Sequence, residues 1–147
     1  MINYLVGDAT YPVGDGPKYI IHVVNDIGAW GHGFVIAVSK RWTEPEAVYR
    51  HSHKIGDLGL GVIQIVPVED DIAVVNMCCQ RGIGSGVRIQ YDHLSTCLKQ
   101  LAARMSAGST VHAPRIGCGL AGGRWQDVLP ILEKELAFNI RGANRLI

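Results

Sequence analysis

Two stretches of this chain carry residues whose types and spacing suit chemistry. The first is NDIGAWGHGF at 25–34. Its glycines at 28, 31 and 33 let a ligand lie against the main chain. Asn25 offers both a donor and an acceptor to a ligand hydroxyl. His32 is a residue type able to activate a water near neutral pH, and Asp26 can orient it or act as the base itself. The plain alternative makes Trp30 a core residue and His32 a surface one, the usual station of a lone histidine.

The second stretch is PRIGCGLAGGRW at 114–125, with glycines at 117, 119, 122 and 123. A strand, a glycine turn and a helix start bring several backbone N–H groups toward one point, with the positive end of the helix dipole behind them. Such a loop cradles an anion without Lys or Arg. It is not a Walker loop, because the Gly-Lys-Ser/Thr ending is missing. GCGLAG fits the dinucleotide fingerprint by letters only, since it falls late in the chain and no acidic partner follows at the right distance. A sharp connection that merely needs glycine explains the loop as well as a cradle does, and the loop alone does not choose between them.

The frame around these stretches is that of one folded domain over 1–147. Hydrophobic residues make up 48% and charged residues 18%, which excludes a disordered tail. Lys plus Arg number 14 against 13 Asp plus Glu, a net charge of +1. No basic excess draws the chain to nucleic acid or to an anionic membrane, so a bound anion must be caught locally. With no basic leader and no long apolar run, the expected location is the cytoplasm. Cysteines stand at 78, 79, 97 and 118 with no C-x-x-C pair, which points to reduced thiols rather than a disulfide framework or a metal site. His51 and His53, two apart, fall on different faces of a helix and make poor joint metal ligands.

Apolar runs at 2–6, 18–25, within 58–69, at 72–79 and at 110–113 read as strands, and ANRLI at 143–147 as a last one. FVIAVSKRW at 34–42 is read as helical. A second helix follows, opened by a capping box of Thr43 and Glu46 with Pro45 early in its first turn. Leu94, Cys97, Leu98, Leu101 and Met105 form one helical stripe over 91–105. The pattern at 125–138 is helical, with Pro130 expected to kink it or to start a second segment. Strands alternating with helices predict an α/β sandwich with a parallel or mixed sheet. Glycine loops follow the strands ending near 25, 79 and 113, which places all three loops at one rim, where such sheets bind ligands.

Four pieces in order, VGDAT (6–10), VVNDIGAWGHGF (23–34), VVNMCCQRG (74–82) and PRIGCGLAGGRW, resemble a macrodomain, the ADP-ribose-binding module. They look most like the branch of the terminal ADP-ribose protein glycohydrolase and its bacterial relatives. The resemblance implies a three-layer α/β/α sandwich with a mixed sheet of about six strands. It implies that Asp8, with Ala9 beside it, meets the adenine amino group. Asn25 and the loop of Gly31, His32, Gly33 and Phe34 would wall the distal ribose, joined by Gln80 and Arg81. The backbone of Gly117, Cys118, Gly119, Leu120, Ala121 and Gly122 would hold the diphosphate.

Three departures bear on activity. Where that branch carries a lysine after the fourth strand, this chain reads CCQRG with Gln80. Where it carries an aspartate after GCGL, this chain has Ala121. The aspartate that another hydrolytic branch places in the first glycine loop is absent from GHGFV. Asn25, Asp26 and His32 are then the candidate catalytic set. The expected partner is ADP-ribose or an ADP-ribosylated macromolecule, bound by a monomer without cofactor or metal. The expected activity is hydrolysis of an ADP-ribosyl ester or O-acetyl-ADP-ribose, with a non-catalytic reader or an ADP-ribose 1″-phosphate phosphatase as alternatives.

Overall fold

The computed structural model describes residues 2–116 and 122–136. Its sheet starts from Lys18–Asn25 (β1), an apolar strand whose successive side chains point to opposite faces. Phe34–Arg41 (α1) and Glu44–Lys54 (α2) follow. Ile63–Glu69 (β2) and Ile72–Gln80 (β3) form a hairpin, and Tyr91–Arg104 (α3), Thr110–His112 (β4) and Trp125–Leu136 (α4) complete the order. The strand order is β2-β3-β1-β4, with β1 parallel to both β3 and β4 and β2 antiparallel to β3.

Because β1 and β3 are covered on both sides, the sheet has two cores. Ile20, Val24, Val74 and Cys78 pack with Val38 of α1 and Tyr49 of α2. Ile21, Val75, Met77 and Cys79 pack with Leu94, Leu98 and Leu101 of α3 and with Val128 and Leu132 of α4. The chain is therefore a three-layer α/β/α sandwich with a mixed sheet. Cys78 and Cys79 point to opposite faces; both are buried and free, as is Cys97.

Some expectations change. The sheet has four strands among the described residues, not six, and the expected strand at 143–147 lies outside them. Residues 2–6 hold only a single bridge residue, Asn3, because Tyr4, Leu5 and Val6 are exposed at the surface. α4 runs through Pro130 as one helix, since the exposed proline forfeits a single hydrogen bond while Val128, Leu132 and Leu136 anchor the helix on either side of it. The capping box does not close: Thr43 makes no side-chain cap bond, and the Glu46 carboxylate accepts from Ser39 and Arg50 instead. Pro67 lies on β2, an edge strand of the sheet among the described residues, where a missing donor costs least. Among the described residues no helix is long and apolar enough to cross a membrane.

Candidate functional site

The site grows from a register shift. β1 pairs Val24 with Cys78 but Asn25 with Gln80, so one extra residue of β3 bulges at the carboxyl end of the strands. Bulges of this kind re-aim side chains at the end of a ladder. Both Asn25 and Gln80 then line a cavity of about 470 Å³ at the sheet's rim.

Asn25 builds the loop that walls this cavity. Its Oδ1 accepts from the backbone N–H groups of Ile27 and Ala29, both at 3.1 Å, and its amide donates to the Ala29 carbonyl at 2.7 Å. The buried Tyr49 hydroxyl lies 2.7 Å from both the carbonyl oxygen and Oδ1 of Asn25 and is shared between them. Burial pushes the Tyr49 phenol well above its ordinary range, which keeps it a neutral donor. The Asn25 amide expected to meet a ligand hydroxyl is thus largely spent on folding 26–29. Gly33 then adopts φ +82°, a left-handed conformation open to glycine, and turns the chain into α1.

Asp26 ties this loop to the next. Its carboxylate accepts from the Gly82 N–H at 2.7 Å, and its own N–H donates to the Gln80 carbonyl at 3.0 Å. The Gln80 amide donates to the Gly82 carbonyl at 2.8 Å. Arg81 is exposed, and its backbone N–H closes the loop on the Arg88 carbonyl. Gly122 (φ +72°) meets the same loop: an added Cβ would lie 2.1 Å from the Gly86 carbonyl oxygen, so two rim loops touch backbone to backbone.

Of the candidate site residues, Asn25, Gly31, His32, Gly33, Phe34 and Gln80 line the cavity, whereas Asp26, Arg81, Ala9, Asp8 and Gly122 do not. Asp8 Oδ1 accepts from the backbone and hydroxyl of Thr10, and its neighbour Gly7 lines a smaller cavity of about 330 Å³. Gly117, Cys118, Gly119, Leu120 and Ala121 lie outside the described residues. The structure thus brings Asn25 and His32 to one cavity and turns Asp26 to structural work.

His22 and Arg115 also line the cavity and escaped sequence reasoning. The signal for His22 is a histidine inside an otherwise apolar strand. Its Nε2 lies 2.6 Å from Asn76 Oδ1, while the Asn76 amide donates to the Pro45 carbonyl and to Gln64 Oε1. Both amide protons are spent, so Oδ1 must face the imidazole and the proton sits on Nε2. Burial lowers the His22 pKa to about 4, with the Asn76 bond opposing, so the ring is neutral near pH 7. The Cys78 thiol, pushed up to about 12 chiefly by burial, is no nucleophile.

A macrodomain protein from Streptomyces coelicolor is 43% identical over 99% of this chain and 97% of its own, with a TM-score of 0.87. The chain belongs to the macrodomain family. A second relative is the mouse chromodomain-helicase-DNA-binding protein 1-like, 33% identical over 151 aligned residues. The macrodomain covers 92% of its own length there but only 16% of that protein, so it spans about a sixth of the curated relative. Thermosipho africanus DarTG, solved in complex with ADP-ribose, shares the fold at a TM-score of 0.68 and 17% identity, over 87% of this chain and 37% of that one. No family model matches the chain.

Proposed function

We propose that this macrodomain binds ADP-ribose in the cleft at the carboxyl ends of β1, β3 and β4. The observation that carries the reading is the larger cavity, walled by the Asn25–Phe34 loop and floored by Gln80, in a chain 43% identical to a macrodomain. The distal ribose lies in that cavity. The adenine end lies toward Gly7 and Asp8, and the diphosphate runs along the segment that follows Pro114. That the related Thermosipho protein was solved in complex with ADP-ribose supports ADP-ribose as the ligand. Calorimetry with ADP-ribose tests it: saturable one-to-one binding is expected, and no heat at millimolar ligand would sink the proposal.

One observation favours a second step, hydrolysis of an ester-linked ADP-ribosyl group or of O-acetyl-ADP-ribose. His32 is exposed, lines the cavity and makes no side-chain hydrogen bond among the described residues. It is the group best placed to take a proton from an attacking water. Release of free ADP-ribose from an ester-linked substrate is the measurement. His32→Ala should slow it about 10²-fold or more, as loss of a general base does. Release unaffected by that change would remove His32 from the chemistry. Binding with no release would leave a reader of ADP-ribose, and phosphate release from the 1″-phosphate would indicate the phosphatase.

A further inference from the structure

The smaller cavity is lined by Tyr4, Leu5, Val6 and Gly7, by Ala113, Pro114 and Arg115, and by Trp125. Pro114 and Arg115 also line the larger one, so the two cavities meet at these two residues. Among the described residues lining either cavity, Arg115 is the one Lys or Arg, and there is no Asp or Glu. Its guanidinium lies 5.8 Å from the centre of the Tyr4 ring and 5.4 Å from that of Trp125. The rings are themselves joined edge to face, and the Trp125 indole N–H donates to the Tyr4 hydroxyl at 3.0 Å. Among the described residues no carboxylate pairs with Arg115.

A guanidinium held against aromatic faces keeps its N–H edge free to donate. The chain's net charge of only +1 offers no general field for anions, so attraction here falls to this one local charge. We propose that Arg115 binds the anionic centre of a ligand that lies across both cavities, donating to its diphosphate oxygens while the uncharged ends occupy the cavities on either side. This assignment rests on the ADP-ribose reading above. It makes Arg115 a specificity-determining residue for a diphosphate-bridged ligand over a neutral nucleoside or a free sugar.

The test is calorimetry with ADP-ribose on the whole chain at about 20 mM and 300 mM salt, for wild type, Arg115→Gln and Arg115→Lys. Wild-type affinity should fall with salt, because a charge interaction is screened. Arg115→Gln should lose about tenfold in affinity at low salt, the scale of one charge-assisted hydrogen bond, and should lose most of the salt dependence. Arg115→Lys should keep the salt dependence with an intermediate loss. A merely structural role for Arg115 would lower affinity without changing its response to salt, and that result overturns the proposal. So does an Arg115→Gln variant that binds as wild type. Thermal melts establish that both variants fold, which the exposure of Arg115 favours. If wild type itself gives no binding heat, the ADP-ribose reading falls and this assignment falls with it; failure confined to the variants touches Arg115 alone.

Discussion

The two faces of the sheet are made from alternate residues of the same strands, yet they are built to different chemistry. On the α3/α4 side, Ile21, Val75 and Met77 meet Leu94, Leu98, Leu101 and Leu132 in an aliphatic layer, all fully or almost fully buried. On the α1/α2 side a polar chain crosses the core. The Gln64 amide donates to the Ser52 hydroxyl, the Asn76 amide donates to Gln64 Oε1, and Asn76 Oδ1 meets the His22 ring. Tyr49 adds a hydroxyl beneath Asn25, and the Trp30 indole donates to Ser39. The polar face is the one that backs the cavity. Buried polar groups are costly unless paired, but once paired they fix orientation as apolar packing does not. The contrast teaches a division of labour: the aliphatic face supplies stability, and the polar face fixes the shape of the loop at 25–34.

The largest expected effect lies on the aliphatic side. Leu98 is fully buried, and Leu98→Ala should cost roughly 2–5 kcal/mol in a urea melt, the usual range for a leucine cavity in a core. ADP-ribose affinity measured well below the melting temperature should stay within about twofold. A large affinity loss in a still-folded Leu98→Ala protein would dissolve the distinction between the faces.

The next effect belongs to His22. Its folded pKa of about 4 lies below the value of 6.5 taken for an unperturbed histidine. A lowered folded pKa means that the unfolded chain binds the proton more readily, so stability is fully present above pH 6.5 and is lost as pH falls toward 4. Between pH 7 and pH 5 the loss should be about 2 kcal/mol by this group alone. Glu46 and Asp71, held low by Arg50 and Lys18, act in the same direction but in the more acid carboxylate range. His22→Gln, whose amide can still reach Asn76, should flatten the profile between pH 7 and pH 5. An unchanged profile would mean that His22 is not the group being protonated.

These two residues also mark what was legible in the sequence. The apolar runs of β1 and β3 and the stripe of α3 announce themselves, because burial repeats at the period of the element. The common rim of the three glycine loops follows from strand order alone. His22 and Asn76 are 54 positions apart, and no local pattern says that two parallel strands will set them side by side. The segment 2–6 is apolar enough to be a strand, but Tyr4, Leu5 and Val6 lie exposed, and only the tertiary fold decides that. In the site, Asn25 is legible as a polar residue ending a strand. That Tyr49, 24 positions on, helps commit its side chain to the loop is not. Arg115 was hidden by its neighbours, since a lone arginine before a glycine run carries no periodic signal.

Tyr49→Phe sharpens the comparison from the other side, with the smallest cost in stability. The ring remains and the aliphatic contacts survive, so the change removes one hydroxyl. What it strips away is the shared donor to the carbonyl oxygen and Oδ1 of Asn25. Losing one buried hydrogen bond should cost about 1–2 kcal/mol. That is less than Leu98→Ala, yet the consequence for the ligand should run the opposite way. Asn25 Oδ1 still accepts from Ile27 and Ala29 and Arg50 of α2 still donates to the Gly28 carbonyl, so the loop persists, but its buried anchor to α2 is gone and the loop carrying Gly31 to Phe34 is less well held. ADP-ribose affinity should fall several-fold, with hydrogen exchange at Ile27 and Ala29 accelerated ahead of global unfolding. Since the aliphatic variant loses more stability and keeps its affinity, the two changes cross. If stability and affinity instead fall together in both, the loop is shaped by overall stability and not by the polar face beneath it.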